Sequence, residues 1–395
     1  MKFYIIGIDD NQRQELTSKV KSIISQNIIF SGGKRHREIM TDLLPEAGQW
    51  IEVTVPLAKV FEQYKLHETL VVFASGDPLF FGLANTIIRE FPEAEVEVYP
   101  SFNSLQLLAH RLKLPYQDMH IVSLTGRPWD KFDEALITGY PLLGVLTDRK
   151  THTPSTIAKR MLDYGYDNYE MVVGELLGNE EREKVSTWPI AEVVGKEFSY
   201  PNNIILQQKQ TRPRPFGLPN SEFHLLNNRA NMITKMPIRL LSLSLLDLRS
   251  KAVFWDVGFC TGSVSIEAKL QFPHLKVIAF EQRLEGEELI EKNSQKWGTP
   301  GIDYYIGDFT QQDLTDIPAP EAIFIGGHGG KLIEILELVK QRMAPNACIV
   351  FNSVSLDSQN LFKQAIKNIG LQITEEVSIQ VDEYNPILVM KATNK

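Results

Sequence analysis

Short apolar segments alternate with longer segments of helical periodicity along most of this 395-residue chain. In the N-terminal half the apolar segments include FYIIGI, LVVFASGD and EVEVYP. The last two precede PLFFGLANTIIREF and SFNSLQLLAHRL, in which the apolar residues recur at helical spacing. Strands separated by helices of this length form mainly parallel sheets that are covered by helices on both faces. The alternation therefore predicts an α/β protein.

A proline-rich stretch interrupts this alternation beyond the middle of the chain. TRPRPFGLPNSEF contains three prolines and has no apolar periodicity, which is typical of an interdomain linker. Upstream of it, the spacing of the strand candidates loosens from about Leu114 onward, which indicates a second lobe. A chain of this length is expected to hold two or three domains. The predicted segments are an N-terminal domain over 1–210 with lobes 1–113 and 114–210, a linker over 211–223, and a C-terminal domain over 224–395.

The C-terminal domain repeats the alternation, starting with AVFWDVG. Two strand candidates, ITEEVSIQV and PILVMKA, close it with only a short polar turn between them. Strands joined by so short a turn pair antiparallel. We therefore predict a Rossmann-like parallel sheet that ends in an antiparallel hairpin.

Composition excludes several classes of function. A formal net charge of −8 and a pI near 5.6 argue against nucleic acid as a partner. No apolar run reaches the roughly 18 residues of a membrane helix, and MKFYIIGIDD turns acidic too early for a secretory signal, so we expect a cytoplasmic protein. Cys260 and Cys348 lie far apart and outside any CxxC spacing, so neither a disulfide framework nor a metal site is predicted.

The segment DVGFCTGSVSIE runs from an apolar strand through a glycine-rich turn into a helix. Such a turn directs backbone N–H groups and the positive end of the helix at the carboxyl edge of the sheet, where a polar or anionic ligand binds. Asp256, Gly258 and Gly262 lie in this segment. Glu281 ends the next strand, where a carboxylate accepts ribose hydroxyls, and Asp308 follows a third strand, where it can take an adenine amino group. This set predicts a nucleoside-containing ligand.

Cys260 bears on which nucleotide binds. A dehydrogenase brings its second glycine against a pyrophosphate, and a side chain would crowd that approach. S-adenosylmethionine has no pyrophosphate, and the terminal hairpin is that of a class I methyltransferase sheet. We therefore favour S-adenosylmethionine, with Cys260 as a packing residue beside it. A catalytic thiol is the weaker alternative, since no histidine nearby in the sequence is placed to activate it, and a nicotinamide-dependent dehydrogenase is a further alternative.

A second signature, FASGDPLFFGLA, lies in the N-terminal half. A strand delivers Gly76, Asp77 and Pro78 into a tight turn, in which Gly76 permits close backbone approach and Pro78 starts the next helix. The segment resembles the signature of the tetrapyrrole methylase (class III methyltransferase) family. FSGGKRHRE, YPSFNSLQLLAHRLKLPYQD, VSLTGR, TPSTIAKRMLDYGY and VVGELLGNEE follow the order of the C5-methyltransferases of cobalamin biosynthesis, and FGLPNSEFH, MITKMPIRLLSLSLLDL, DVGFCTGSVSIE and IFIGGHGGKL resemble the decarboxylating C15-methyltransferases.

A fusion of these two families, as in the precorrin-6Y (precorrin-6B) C5,15-methyltransferases, implies a two-lobed tetrapyrrole methylase fold followed by a class I methyltransferase fold. It implies methylation of a corrin precursor at C5 and C15, with S-adenosyl-L-methionine as cofactor, and decarboxylation of the C12 acetate. A homo-oligomer is implied as well.

Two alternatives stay open. One is an S-adenosylmethionine-dependent methyltransferase of another substrate. The other is a C-terminal methyltransferase with a non-catalytic N-terminal domain, because GIDDNQ, with Asp9 and Asp10, stands where the family commonly has a glycine-proline-glycine turn.

The resemblance implies one cofactor site in each half of the chain. The first comprises Gly76, Asp77, Pro78, Ser101, Ser104, Val173, Gly174 and Glu175. The second comprises Asp256, Gly258, Cys260, Gly262, Glu281, Asp308, Gly326 and Gly327.

The implied substrate carries several carboxylates, which Arg and Lys bind by charge-assisted hydrogen bonds. Since methyl transfer to carbon chiefly requires alignment, no strong base is expected. His328 in GGHGG is the candidate for moving the proton in decarboxylation, with a structural role as the alternative. The candidate substrate-binding residues are Lys34, Arg35, Arg127, Lys235 and Arg239.

Overall fold

The computed structural model describes residues 1–394 and divides into two compact units. The first unit comprises Met1–Arg127, Pro141–Lys159 and Tyr169–Lys209, and the second comprises Pro128–Tyr140, Arg160–Asn168 and the chain from Gln210 onward. Among the residues described, no helix is both long enough and apolar enough to cross a bilayer.

A five-stranded, wholly parallel sheet begins the first unit. Its strands are β1 (Lys2–Ile8), β2 (Ile29–Gly32), β3 (Gln49–Glu52), β4 (Thr69–Ser75) and β5 (Glu95–Tyr99). The helices that follow these strands are α1 (Ser18–Gln26), α2 (Lys34–Met40), α3 (Ala58–Tyr64), α4 (Leu83–Glu90) and α5 (Ser104–Leu112). The strand order is β3-β2-β4-β1-β5, so the carboxyl ends of β1 and β4 lie side by side.

The second sheet of this unit is mixed. Its strands are β6 (His120–Ser123), β7 (Leu142–Leu146), β8 (Tyr169–Glu175), β9 (Lys184–Pro189) and β10 (Asn202–Gln208). Between these strands the chain forms α6 (Asp130–Thr138), which belongs to the second unit, α7 (Pro154–Asp163), which begins in the first unit and ends in the second, and α8 (Ile190–Val193). In the order β6-β7-β10-β8-β9, β10 is antiparallel to both of its neighbours. The connection from β8 to β9 is too short for the crossover that parallel strands need, so these two strands also pair antiparallel.

The second unit contains a seven-stranded sheet. Its strands are β11 (Val253–Val257), β12 (Lys276–Glu281), β13 (Ile302–Ile306), β14 (Ala322–Ile325), β15 (Cys348–Ser353), β16 (Gln372–Ile379) and β17 (Ile387–Thr393). Its helices are α9 (Met236–Leu246), α10 (Ser263–Gln271), α11 (Glu285–Trp297), α12 (Leu332–Arg342) and α13 (Leu356–Asn368). The order β13-β12-β11-β14-β15-β17-β16, with only β17 antiparallel to its neighbours, confirms the predicted parallel sheet with a terminal hairpin.

The core of this sheet lies on both of its faces. Phe254 and Trp255 are neighbours on β11, both fully buried, and they belong to hydrophobic clusters on opposite sides because side chains alternate along a strand. The strand order reverses between β11 and β14, and ligands bind at such a switch point in an open α/β sheet.

Candidate active sites

A cavity of about 430 Å³ lies in the first unit and is lined by residues of both its sheets. We call it the first site. One side is formed by the turns after β1 and β4, including Gly76, Phe80 and Phe81, and the other by Thr147 and Asn203 of the second sheet. Its volume falls within the range of about 300–1,000 Å³ that is usual for small-molecule pockets.

Gly76 allows three chain segments to meet at this cavity. Its N–H donates to the carbonyl of Ile8 at 2.7 Å, and its carbonyl accepts from the N–H of Ser101 at 3.1 Å. Its φ is +59°, and a Cβ would lie 2.7 Å from the Cα of Asn103. Only glycine fits there, which agrees with the close backbone approach expected from GDPLFFG.

Three of the eight residues predicted for the first cofactor site line the cavity: Gly76, Ser104 and Gly174. Four of the other five lie next to lining residues in sequence, and Pro78 lies in the turn before α4, which begins at Leu83 and not at Pro78 as predicted. Asp77 accepts an N–H bond from Leu79 at 2.9 Å, and the buried carboxylate of Glu175 accepts one from Ser199 at 2.6 Å. The remaining three are Pro78, Ser101 and Val173.

The acidic turn after β1 is paired with a predicted substrate-binding residue. Nη1 of Arg35 lies 3.1 Å from Oδ2 of Asp10, and Nη2 donates to Oγ of Ser75 at 2.9 Å. Burial raises the pKa of Asp10, whereas the charge of Arg35 acts to lower it. Arg35 therefore compensates the negative charge of Asp10, while Asp9 of the same turn also lines the cavity.

His36, in the same KRHR segment as Arg35, also lines the first site. Its Nδ1 accepts from the N–H of Gly33 at 3.3 Å, and its Nε2 lies 3.0 Å from Oγ of Ser75. Burial and the neighbouring Arg35 lower the pKa of His36 to about 4, so this ring is neutral at neutral pH.

The two other basic candidates of the first unit lie outside the lining of the cavity. Lys34 is exposed at the start of α2. Arg127 donates to Oγ of Ser123 at 2.6 Å, and its guanidinium lies 5.2 Å from the ring centre of Phe81, which does line the cavity.

The second site is the group of predicted residues at the carboxyl ends of β11, β12, β13 and β14. Asp256 is fully buried there. Its Oδ2 accepts from the N–H of Ser265 at 3.1 Å and from Oγ at 2.6 Å, while its Oδ1 is buried and has no hydrogen-bond partner among residues 1–394. Burial raises the pKa of Asp256 to about 7.

The glycine-rich turn contacts the loop after β14 through bare backbone. Gly258 has φ +79°, and a Cβ on it would lie 2.4 Å from the carbonyl oxygen of Gly327. Gly262 has φ +73°, and its Cβ would lie 2.9 Å from Cγ1 of Ile290. Gly326 is exposed beside this contact. The predicted glycines of the second site are therefore brought together.

Cys260 adopts φ +51° within the turn. Its N–H donates to Oε2 of Glu281 at 2.8 Å, and its Sγ lies 3.1 Å from the carbonyl oxygen of Met232. Burial raises the pKa of the thiol to about 11, so it is protonated at neutral pH. This environment favours packing over nucleophilic chemistry.

The two carboxylates predicted to meet the nucleoside are held by local partners. Oε1 of Glu281 accepts from the N–H of Arg283 at 3.0 Å. Oδ1 of Asp308 accepts from the N–H of Thr310 at 3.0 Å, and Oδ2 pairs with the ammonium of Lys331. Each carboxylate oxygen has two lone pairs, so these contacts orient the groups and leave acceptor capacity.

His328 lies half-buried in the glycine-rich loop after β14. Its Nδ1 accepts from the N–H of Gly330 at 3.2 Å, and its ring centre lies 6.0 Å from that of Phe351. Burial lowers its pKa. Because Nδ1 accepts a hydrogen bond, the proton of the neutral ring lies on Nε2.

The two basic candidates of the second unit have different surroundings. Lys235 precedes α9, with its ammonium 4.7 Å from the ring centre of Tyr384. Arg239 is fully buried and donates to Glu267 at 3.2 Å, to the carbonyl of Thr234 at 3.1 Å and to the carbonyl of Leu218. These contacts are those of a residue that stabilises the fold. Full burial argues against the predicted role of Arg239 as a substrate contact.

Comparisons with known proteins match both halves of the chain. A model of tetrapyrrole (corrin/porphyrin) methylases matches residues 2–194, and a model of the precorrin methyltransferase domain matches residues 226–393. Two shorter relatives come from Salmonella typhimurium. One, a cobalt-precorrin-6B C(15)-methyltransferase (decarboxylating), is 31% identical over 39% of this chain and 79% of the relative. The other, a cobalt-precorrin-7 C(5)-methyltransferase, is 24% identical over 52% of this chain and 98% of the relative.

A longer relative covers both regions. It is a precorrin-6Y C(5,15)-methyltransferase [decarboxylating] of a Sinorhizobium species, 30% identical over 362 residues, which are 90% of this chain and 85% of the relative. The chain therefore belongs to the precorrin-6Y C(5,15)-methyltransferase (decarboxylating) family.

Proposed function

We propose that the chain transfers two methyl groups from S-adenosyl-L-methionine to a corrin precursor, at C5 in the first site and at C15 in the second, and decarboxylates the C12 acetate. This is the conversion of precorrin-6B to precorrin-8X in cobalamin biosynthesis. The observation that carries the proposal is the presence of two separate sites, each with a glycine turn at the carboxyl ends of parallel strands, in a chain that matches this family over 90% of its length.

Features of the first site fit this cofactor. The bare backbone of Gly76 permits close approach of a ligand, and the buried amide of Asn203, which has no partner among the residues described, offers polar groups to a neutral nucleoside. Gly76, Asp77 and Pro78 would form one wall, with the segments around Ser101–Ser104 and Val173–Glu175 completing the site.

The second site fits it for a separate reason. The unpaired Oδ1 of Asp256 is a buried acceptor, and the cationic amino group of the cofactor would favour the ionised form of this carboxyl. We assign the ribose hydroxyls to Glu281 and the adenine amino group to Asp308. The backbones of Gly258, Gly262, Gly326 and Gly327, with the small side chain of Cys260, would leave room for the ligand.

When bound, S-adenosylmethionine supplies an electrophilic methyl group, so the chain has chiefly to hold the receiving carbon in line with it. In the first site we assign binding of substrate carboxylates to Arg35, with Lys34 and Arg127 nearer the surface. In the second site Lys235 is the remaining basic candidate.

Decarboxylation breaks the bond between the acetate methylene and its carboxylate, and the electron pair passes into the conjugated ring until the carbon takes up a proton. We assign delivery of that proton to the protonated ring of His328 through Nε2, the nitrogen left free by the bond to Gly330.

We also infer that the protein acts in the cytoplasm as a homo-oligomer, with the tetrapyrrole as its partner and no nucleic-acid partner. The acidic net charge of −8 supports the last point.

The proposal is tested by mass spectrometry of the product after the purified chain is incubated with precorrin-6B and S-adenosylmethionine. Gain of two methyl groups with loss of carbon dioxide is expected. Gain of one methyl group with the same loss would favour the alternative in which the N-terminal domain, with its acidic turn, is non-catalytic. An unchanged substrate would point to a methyltransferase of a different substrate.

Two matched variants assign each event to its site. Gly76→Val should abolish the C5 methyl transfer alone, because its Cβ would collide with the backbone of Asn103. Gly258→Val should abolish the C15 transfer alone, because its Cβ would collide with Gly327.

A further inference from the structure

The side chain of Asn203 is an unusual polar group in the first unit. It lies on β10, is 1% exposed, and neither its Oδ1 nor its Nδ2 has a hydrogen-bond partner among residues 1–394. Burying an amide without partners is unfavourable, since both its donor and its acceptor lose water. Most buried polar groups in proteins are paired, so an unpaired one that lines a cavity is a candidate contact for a bound molecule.

The neighbouring asparagine on the same strand differs in this respect. Oδ1 of Asn202 accepts from Oγ1 of Thr147 at 2.8 Å, and Nδ2 of Asn202 donates to the carbonyl of Ser199 at 3.0 Å. Successive side chains point to opposite faces of a strand. The protein therefore satisfies the amide on one face of β10 and leaves the amide on the other face unpaired.

The residue that faces Asn203 on the adjacent strand has no side chain to cover its amide. That residue is Gly174 on β8. A Cβ on Gly174 would lie 3.1 Å from Oδ1 of Asn203 and 2.8 Å from Cδ1 of Leu177, so a side chain there would crowd the amide. Gly174, Leu177 and Leu107 all line the cavity, and the two leucines make this part of its wall apolar.

A neutral heteroaromatic edge fits this position better than a carboxylate does. A carboxamide presents a donor and an acceptor side by side, which match the 6-amino group of adenine and its neighbouring ring nitrogen. A substrate carboxylate would require a cation at this position. The guanidinium that lines this cavity is that of Arg35, which already pairs with Asp10.

We propose that the carboxamide of Asn203 recognises the amino edge of adenine in S-adenosylmethionine at the first site. The inference rests on the proposed function, because it takes the cavity as the binding site of that cofactor.

The test uses calorimetric titration of the full chain with two probes. One is S-adenosylhomocysteine, and the other is its analogue in which hydrogen replaces the 6-amino group. Gly258→Val blocks the second site, so that one binding event is observed. In this background we expect the analogue to bind roughly ten- to a hundredfold more weakly, the discrimination usual for a bidentate amide–adenine pair.

Asn203→Leu, which replaces the amide with an apolar group of similar size, should weaken binding of S-adenosylhomocysteine by the same factor and remove the discrimination between the probes. Gln207→Leu is the matched control, since it makes the same change on the same face of β10 outside the lining of the cavity and should alter neither affinity.

Equal affinities for the two probes in the chain with Asn203 intact would overturn the inference without any substitution at that position. An equal loss for both probes in Asn203→Leu would overturn it as well, because the amide would then not recognise the amino group. Absence of any binding at the first site would instead refute the proposed function. If Gly258→Val does not fold, the two probes are compared at the two resolved sites of the wild-type chain, where only one site should respond to Asn203→Leu.

Discussion

Nη1 of Arg35 lies 3.1 Å from Oδ2 of Asp10, so the acidic turn after β1 and the basic start of α2 form an ion pair beside the first site. Asp10 is buried, whereas the side chain of Arg35 is 39% exposed. The two charges of this pair cancel, so Asp10 adds no net negative charge at the cavity. The departure from the glycine-proline-glycine turn thus has a local compensation.

Arg35→Ala should weaken corrinoid binding and leave the affinity for S-adenosylhomocysteine unchanged. It should also lower the free energy of unfolding by about 1–3 kcal/mol, because the buried Asp10 loses its partner. Isothermal titration and urea unfolding measure the two effects. Arg37→Ala, on the exposed face of the same helix, is the control. Unchanged corrinoid affinity in Arg35→Ala would remove Arg35 from the substrate site.

Asp256 should make stability depend on pH. Its pKa is about 7 in the folded chain and near the ordinary value of 3.8 in the unfolded chain. Between these values the folded state binds more protons, so the contribution of Asp256 to stability falls as pH rises from about 4 to about 7 and is constant above. As the pH rises from about 4 to about 7, the free energy of unfolding of Asp256→Asn should therefore increase relative to that of the wild type. A difference that does not vary with pH would contradict the buried, protonated state of Asp256.

Cys260→Gly should retain turnover at the second site. Glycine adopts the φ of +51° without strain, and the pKa of about 11 leaves the thiol protonated, so no nucleophile is lost. C15 methylation is measured by product mass, together with affinity for S-adenosylhomocysteine. A large loss of turnover with that affinity intact would show a chemical role for the sulfur.

His328→Ala should slow decarboxylation by about 10²–10⁴-fold, the usual effect of losing a general acid–base group, with cofactor affinity unchanged. Release of carbon dioxide under single-turnover conditions measures it. The exposed His274, on the turn before β12, provides the control substitution His274→Ala. A normal decarboxylation rate in His328→Ala would leave this histidine a structural role.

The fold of the C-terminal region follows closely from sequence pattern, and the second sheet does so less well. A parallel sheet with a terminal hairpin could be predicted because strand period, helix period and the short turn near Glu383 are local signals. The antiparallel insertion of β10 between β7 and β8 could not be predicted, because the apolar pattern of NNIILQQK is compatible with both parallel and antiparallel pairing. The domain boundaries near residues 210 and 224 stay a prediction.

The site residues also differ in whether they could be identified from the sequence. Glycines such as Gly76 and Gly258 could be identified because turns between strand and helix require them. The burial of Arg239 depends on Glu267, 28 residues away, and no local pattern distinguishes it from an exposed arginine. Asn203 could have been noticed as an amide within an apolar run, yet only the structure shows that it lines a cavity and has no hydrogen-bond partner among residues 1–394.

The hydrogen bonds of the Glu267 carboxylate limit where the protein can be truncated. Its two oxygens accept from the N–H groups of Gly217 at 2.9 Å and Leu218 at 2.8 Å, besides Arg239. A truncated protein that starts at residue 224 would lack both backbone donors and leave this buried acid with Arg239 and, at 3.5 Å, Gln271. One that starts near residue 210 would keep them. The proline-rich segment is thus part of the smallest piece that should be expressed for work on the second methyl transfer.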